Sequence, residues 1–212
     1  LLVDIQKPDS FLFRELDERA VFRQGDVSDA AFARSLFEDH TQPLSLFHLG
    51  AVMSSQGEDD FDLAMRVNLH GSLNLLEAAR HSGIPRPKLV FASAGATLGT
   101  GAPTDFVTKD EPVGDWTRAT PHTTYGMTKA CAELLLSDYS RRGFVDGRGC
   151  RLPTVLVRPG APNAAATGCF SAAMREPLAG RPFEAPIGAA ISHGVVGART
   201  AAECMVRSHE AT

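Results

Sequence analysis

The chain has 212 residues and a formal charge of −4. That length suffices for one sizeable hydrophobic core with a small subdomain at most, and the acidic balance offers no basic surplus for nucleic acid. No apolar run approaches the roughly 20 residues of a membrane-spanning helix.

Leu1–Val3 reads as the end of a buried strand closed by Asp4. Ala20–Arg23 is a second strand, followed by Gly25-Asp26-Val27, and Ser28-Asp29 opens a helix over Ala30–Phe37. Leu44–Leu49 is a third strand, ending at Gly50-Ala51. Phe61, Met65, Leu69, Leu73 and Leu76 recur at helical spacing and predict a long helix from Asp59 to Ala79. His81-Ser82-Gly83-Ile84-Pro85 is its stop signal. Lys88–Phe91 is a fourth strand, and Gly99 to Pro121 reads as a long loop. A second long helix is expected over Thr123–Arg142, then Gly143, a turn at Asp146-Gly147 and a fifth strand over Leu152–Val157. Past Pro159 the composition turns to Ala, Gly and Pro, with short helices at Ser171–Ala179 and Thr200–Ser208.

Cys131, Cys150, Cys169 and Cys204 are widely spaced, with no C-x-x-C pair. This points to reduced thiols in a cytoplasmic protein rather than to a disulfide scaffold or a zinc site, so no metal is expected.

Strands alternating with helices predict an α/β fold, a doubly wound parallel sheet covered on both faces. Such sheets bind ligands at the carboxyl ends of their strands. Asp4, at the first strand end, is either an ordinary exposed carboxylate or the acceptor for the ribose hydroxyls of a dinucleotide, a role that favours NAD over NADP. Asp26 and Val27 are either a turn and helix lead-in or an adenine contact. Gly50 and Ala51 are small enough to let backbone approach a phosphate or ribose, while His48 reads as a satisfied, partly buried imidazole.

Tyr125 and Lys129 stand one helical turn apart and share a face. A free phenol titrates near ~10 and is a poor base at neutrality. A neighbouring ammonium stabilises the phenolate, and the pair can then take a proton from a substrate hydroxyl while hydride leaves the same carbon.

The order Asp4, Gly25-Asp26-Val27, His48-Leu49-Gly50-Ala51, Val67-Asn68-Leu69-His70-Gly71, Tyr125-x-x-x-Lys129 and Val157-Arg158-Pro159 resembles the extended short-chain dehydrogenase/reductase family of NAD-dependent epimerases and dehydratases. Leu134 through Arg148, Arg151-Leu152-Pro153-Thr154, Pro162 through Ala166 and Arg175 through Gly180 resemble its D-erythronate dehydrogenase group. The resemblance implies NAD as cofactor and a small-molecule substrate, a sugar acid oxidised at a secondary alcohol. Nucleotide-sugar epimerisation or dehydration is the alternative. It implies a Rossmann-type NAD domain over residues 1–160 and part of a substrate subdomain over 161–212. It also implies a homodimer paired through the two long helices, with no nucleic acid or membrane partner. By position, Asp4, Asp26, Val27, Leu49, Ala51, Asn68, Tyr125, Lys129 and Pro159 would contact cofactor, Tyr125 and Lys129 would be catalytic, and Asn163 and Arg175 would meet substrate. A guanidinium suits a carboxylate because it binds it through two parallel hydrogen bonds, although Arg175 equally fits a solvated helix face.

Two departures qualify this. The family's catalytic Ser or Thr after the fourth strand falls on Ala94, and the adjacent Ser93, also a catalytic candidate, is expected to point the opposite way along an extended segment. Thr97 and Thr124 are further hydroxyl sources. Loss of one such donor slows a reaction by roughly 10²–10³, so an inactive dinucleotide-binding chain is a third reading. The glycine-rich loop and the first strand that carries it are also missing, which predicts exposed interior strand edges and a fragment of a longer protein.

Overall fold

The computed structural model describes residues 1–7, 20–38, 40, 43–99, 113–157, 167–188 and 192–211. Within them, β1 (Leu2–Asp4) pairs in parallel with β2 (Phe22–Gln24), in a register that sets Asp4 opposite Gln24. Helix α1 (Ala30–Ser35) follows, and its N-cap is Asp29, whose carboxylate accepts the backbone N–H groups of Ala31 and Phe32. Strand β3 (Ser45–His48) pairs in parallel with β4 (Lys88–Ala94), and β4 pairs in parallel with β5 (Asp146–Leu152). After Pro153 the chain enters β6 (Thr154–Leu156), which pairs in parallel with β7 (Val195–Gly197).

Between β3 and β4 lie the short helix α2 (Ser54–Asp59) and a long helix, α3, running from Phe61 through a π-helical turn at Met65–His70 to His81. Strand β4 runs into a 3₁₀ turn, Gly95–Leu98. Helix α4 (Thr124–Arg141) precedes β5, α5 (Gly168–Leu178) precedes β7, and α6 (Ala198–Glu210) follows it.

Helices cover both faces, so the arrangement is the expected doubly wound parallel sheet. On one face Leu89 and Phe91 of β4 meet Leu75, Leu76, Ala78 and Ala79 of α3 and Ala132 and Leu136 of α4. On the other, Val90 and Cys150 meet Met205 of α6. The opposite facing of Leu89 and Val90 follows from strand alternation. Between α3 and α4, the Tyr139 hydroxyl donates to the Glu77 carboxylate. Hydrogen bonding from Arg80, and then from Tyr139, holds that carboxyl down at about 2. Among the described residues no ladder joins β1 to β3, and Leu2 and Phe47 on these strands remain exposed.

Several boundaries differ from expectation. Strand β4 extends three residues beyond Phe91, because α3 and α4 bury one face and α6 the other as far as Ala92. The helix over Ser54–Asp59 is an addition. The largest correction is Asp146-Gly147, expected as a turn but lying inside β5. Gly147 is there to make room: a Cβ at this position would stand 2.9 Å from Leu136 Cγ. Tertiary packing thus overrides a local turn signal. The division at residue 160, like Pro159 and Asn163, lies outside the described residues. No helix among them is long and apolar enough to cross a membrane.

Leu136 is 4% exposed and fills the space that Gly147 leaves. Leu136→Ala is expected to lower unfolding free energy by about 2–5 kcal/mol, read from urea denaturation.

Candidate active site

The strands β1 and β2, and β3, β4 and β5, run parallel within their sheets, so the carboxyl ends of β3, β4 and β5 form one rim. Helix α4 begins at that rim. Its N-cap Thr123 accepts the Gly126 N–H at 3.0 Å, and the Thr124 N–H donates to Glu58 of α2 at 2.7 Å. Gly126 allows the first turn of α4 to press on the 3₁₀ turn after β4. A Cβ on it would lie 3.0 Å from the carbonyl carbon of Ala96, and closer still to its oxygen. Sequence reading passed over Gly126, although a glycine immediately after the candidate Tyr was a usable signal of close approach.

Lys129 is buried, 3% exposed, and its Nζ donates to the Ala92 carbonyl of β4 at 2.8 Å. The same ammonium lies 4.6 Å from the Phe91 ring centroid and 5.7 Å from that of Tyr125. Both contacts offset part of the cost of burying a charge. Burial still brings its pKa down from 10.5 to about 8, so it remains largely an ammonium at neutral pH. The expected pairing of Tyr125 with Lys129 on one face is therefore realised, and Tyr125 itself is half-buried.

Asn68 sits in the π-helical turn of α3, buried. Its Oδ1 accepts the Val52 N–H at 2.7 Å, and its Nδ2 donates to the Val52 carbonyl at 3.1 Å and to Thr128 Oγ1 at 3.4 Å. One side chain thus ties the segment after β3 to α3 and to the residue beside Lys129. Ser72 donates its hydroxyl hydrogen to the Asn68 carbonyl at 2.6 Å. The remaining contact, His48 Nε2 to Ser72 Oγ at 2.9 Å, then makes His48 the donor. Burial, reinforced by the charge of Lys129, pushes His48 down to about 3. It is the satisfied imidazole expected from the sequence, and it is buried rather than only partly so.

The hydroxyls are differently placed. Ser93 is 3% exposed and donates to Glu133, one helical turn beyond Lys129 on α4. Glu133 is itself gripped by Arg151, with Nη2 to Oε2 at 2.7 Å and Nε to Oε1 at 3.0 Å. Ser93 faces α4, opposite in the strand to Ala94, as alternation requires. Thr97 is fully buried and donates to the Ala94 carbonyl at 3.0 Å.

Of the cofactor candidates, Asp4 is exposed at the end of β1 and accepts the Gln6 N–H at 2.9 Å. Asp26 accepts the Ser28 N–H at 2.8 Å, and Val27 is half-buried. Leu49 is 60% exposed, Ala51 half-buried, and the Cβ position at Gly50 meets nothing closer than His48 Cε1 at 4.0 Å. Open backbone at Gly50, at the carboxyl end of β3, fits the close approach of a dinucleotide. Arg175 lies on α5 in an ion pair with Glu176, Nε to Oε1 at 3.0 Å, and Glu176 also holds Arg181.

Residues 6–187 match the model of the NAD dependent epimerase/dehydratase family. The chain is 44% identical over 194 residues to D-erythronate dehydrogenase of Cupriavidus necator, covering 92% of this chain and 57% of that protein. It superposes on the crystal structure of a nucleoside-diphosphate-sugar epimerase from Agrobacterium tumefaciens with a TM-score of 0.81 and 39% identity, over 98% of this chain and 58% of that one. A UDP-glucose 4-epimerase of Thermus thermophilus, solved in complex with NAD, shares the fold at a TM-score of 0.79 and 24% identity, over 94% of this chain and 63% of that one. The chain thus spans little more than half the length of these relatives.

Two outcomes are expected. Gly126→Ala should destabilise the fold by about 1–3 kcal/mol in denaturant titration, because the added methyl meets backbone rather than a movable side chain. His48 should stay neutral, with its proton on Nε2, in NMR spectra across the pH range well above 3. Its folded pKa lies below the ordinary 6.5, so the stability it contributes is complete above 6.5 and is lost as pH falls through about 3.

Proposed function

Because the chain belongs to the NAD dependent epimerase/dehydratase family, we propose that this protein is an NAD-dependent oxidoreductase that oxidises a secondary alcohol of a small sugar acid such as D-erythronate. The observation that carries this reading is Lys129, buried beneath Tyr125 and hydrogen-bonded to β4 at the strand rim.

When bound, NAD supplies the hydride acceptor. Asp4 would hold its adenosine ribose, Asp26 and Val27 its adenine, and Leu49 and Ala51 the path between. Tyr125 would take the proton from the substrate hydroxyl, with its phenolate stabilised by the Lys129 ammonium. Lys129 keeps its position through the Ala92 carbonyl, and Asn68 fixes the helix beside it through Val52 and Thr128. The D-erythronate dehydrogenase relative supports the sugar-acid substrate. Exposed Phe61 on α3 and Leu134 on α4 support pairing of two copies through these helices.

A second reading, a dinucleotide-binding protein without turnover, is favoured by the hydroxyls: Ala94 has none, Ser93 is committed to Glu133, and Thr97 to a carbonyl. The test uses the whole protein with NAD, D-erythronate and a panel of UDP-sugars. NADH formed with D-erythronate is the expected result, and turnover confined to a UDP-sugar would overturn it. Tyr125→Phe should lower kcat by about 10²–10⁴ while NAD binding persists. Ala94→Ser should raise kcat if the missing donor limits the rate, by up to roughly 10²–10³. NAD binding without turnover in either the natural or the Ala94→Ser protein would support the second reading.

A further inference from the structure

We propose that Cys150 and Cys204 form an oxidisable thiol pair that a hydroperoxide converts to a disulfide joining β5 to α6. The four cysteines are far apart in sequence, but the fold brings these two together through one serine. Cys150 Sγ lies 3.2 Å from Ser208 Oγ, and Ser208 Oγ donates to the Cys204 carbonyl at 2.8 Å. Cys204 and Ser208 are one turn apart on α6, so their side chains share a face, with Cβ atoms about 5–6 Å apart. The Cys150 sulfur therefore sits beside the stripe that carries Cys204, and the two thiols are near enough for their side chains to interact.

The two thiols differ in the way that such a pair requires. Cys204 is exposed and Cys150 is 7% exposed. Burial pushes the Cys150 thiol up, the Ser208 hydrogen bond opposes this, and the neighbouring Cys204 pushes it up further. Cys150 is thus inert to peroxide by itself, and Cys204 is the sulfur that solvent reaches. The Cys204 thiolate attacks a peroxide oxygen, an S–O bond forms, the O–O bond breaks, and hydroxide leaves to be protonated to water. Cys150, giving up its proton, then attacks the Cys204 sulfur. The S–S bond forms, the S–O bond breaks and a second water leaves. Two thiols have lost two electrons in all, and one hydrogen peroxide has gained them.

The bond would sit next to the proposed chemistry. Cys150 is the register partner of Ala92, whose carbonyl holds Lys129. The disulfide itself does not depend on the functional reading above.

Hydrogen peroxide treatment of the whole protein, followed by peptide mapping without reductant, tests the pair. The expected product is one intramolecular peptide pair linked through Cys150 and Cys204, lost on addition of dithiothreitol and absent from Cys204→Ser, a change at an exposed position. In Cys150→Ala, the Cys204 sulfur should instead advance to sulfinic acid, because its resolving partner is gone. Recovery of both residues as free thiols would overturn the proposal. So would a Cys204 sulfinic acid beside free Cys150 in the unmodified protein, or a bond from Cys204 to Cys131, to Cys169 or to a second chain.

Discussion

Helix α4 lies so close to β4 and β5 that two glycines are needed where it touches. Gly126 meets the Ala96 carbonyl at the start of the helix, and Gly147 meets Leu136 near its middle. This approach carries the Lys129 amine into the interior, where it survives only because the Ala92 carbonyl accepts its hydrogen bond and the Phe91 and Tyr125 rings flank it. The same approach brings Glu133 over Ser93 and gives Arg151 a carboxylate to grip. Moving α4 outward by even a fraction of an ångström would weaken all of these together, since interiors are close-packed.

The neutral network beside it has a complementary purpose. Asn68, Ser72 and His48 satisfy one another and the Val52 backbone without adding a second charge. A protonated His48 would stand in the field of Lys129, in the dry interior where such repulsion is strong. Its depressed pKa removes that conflict and leaves Lys129 as the cation at this end of the sheet's core. The π-helical turn lets Asn68 reach Val52 while the turns of α3 that follow keep their apolar face on the sheet.

The hydroxyls near β4 show how strand geometry overrides nearness in sequence. Ser93 adjoins Ala94, but a β-strand sends neighbouring side chains to opposite faces, so Ser93 joins the Glu133–Arg151 cluster. Thr97 turns back onto the strand end instead.

Much was legible in the residues themselves. Alternating apolar runs and helical stripes determined an α/β chain, and the i, i+4 spacing of Tyr125 and Lys129 determined that they share a face, because both follow from backbone periodicity alone. Strand alternation likewise determined that Ser93 and Ala94 part. The strand identity of Asp146-Gly147 was hidden, because its cause is the volume of Leu136, a partner from another helix. So were the neutrality of His48, which depends on burial and on Ser72, the ion pair that occupies Arg175, and the meeting of Cys150 with α6. Periodicity is a property of consecutive residues and can be read along the chain. Close approach, burial and charge compensation are properties of residues far apart in sequence, and only packing decides them.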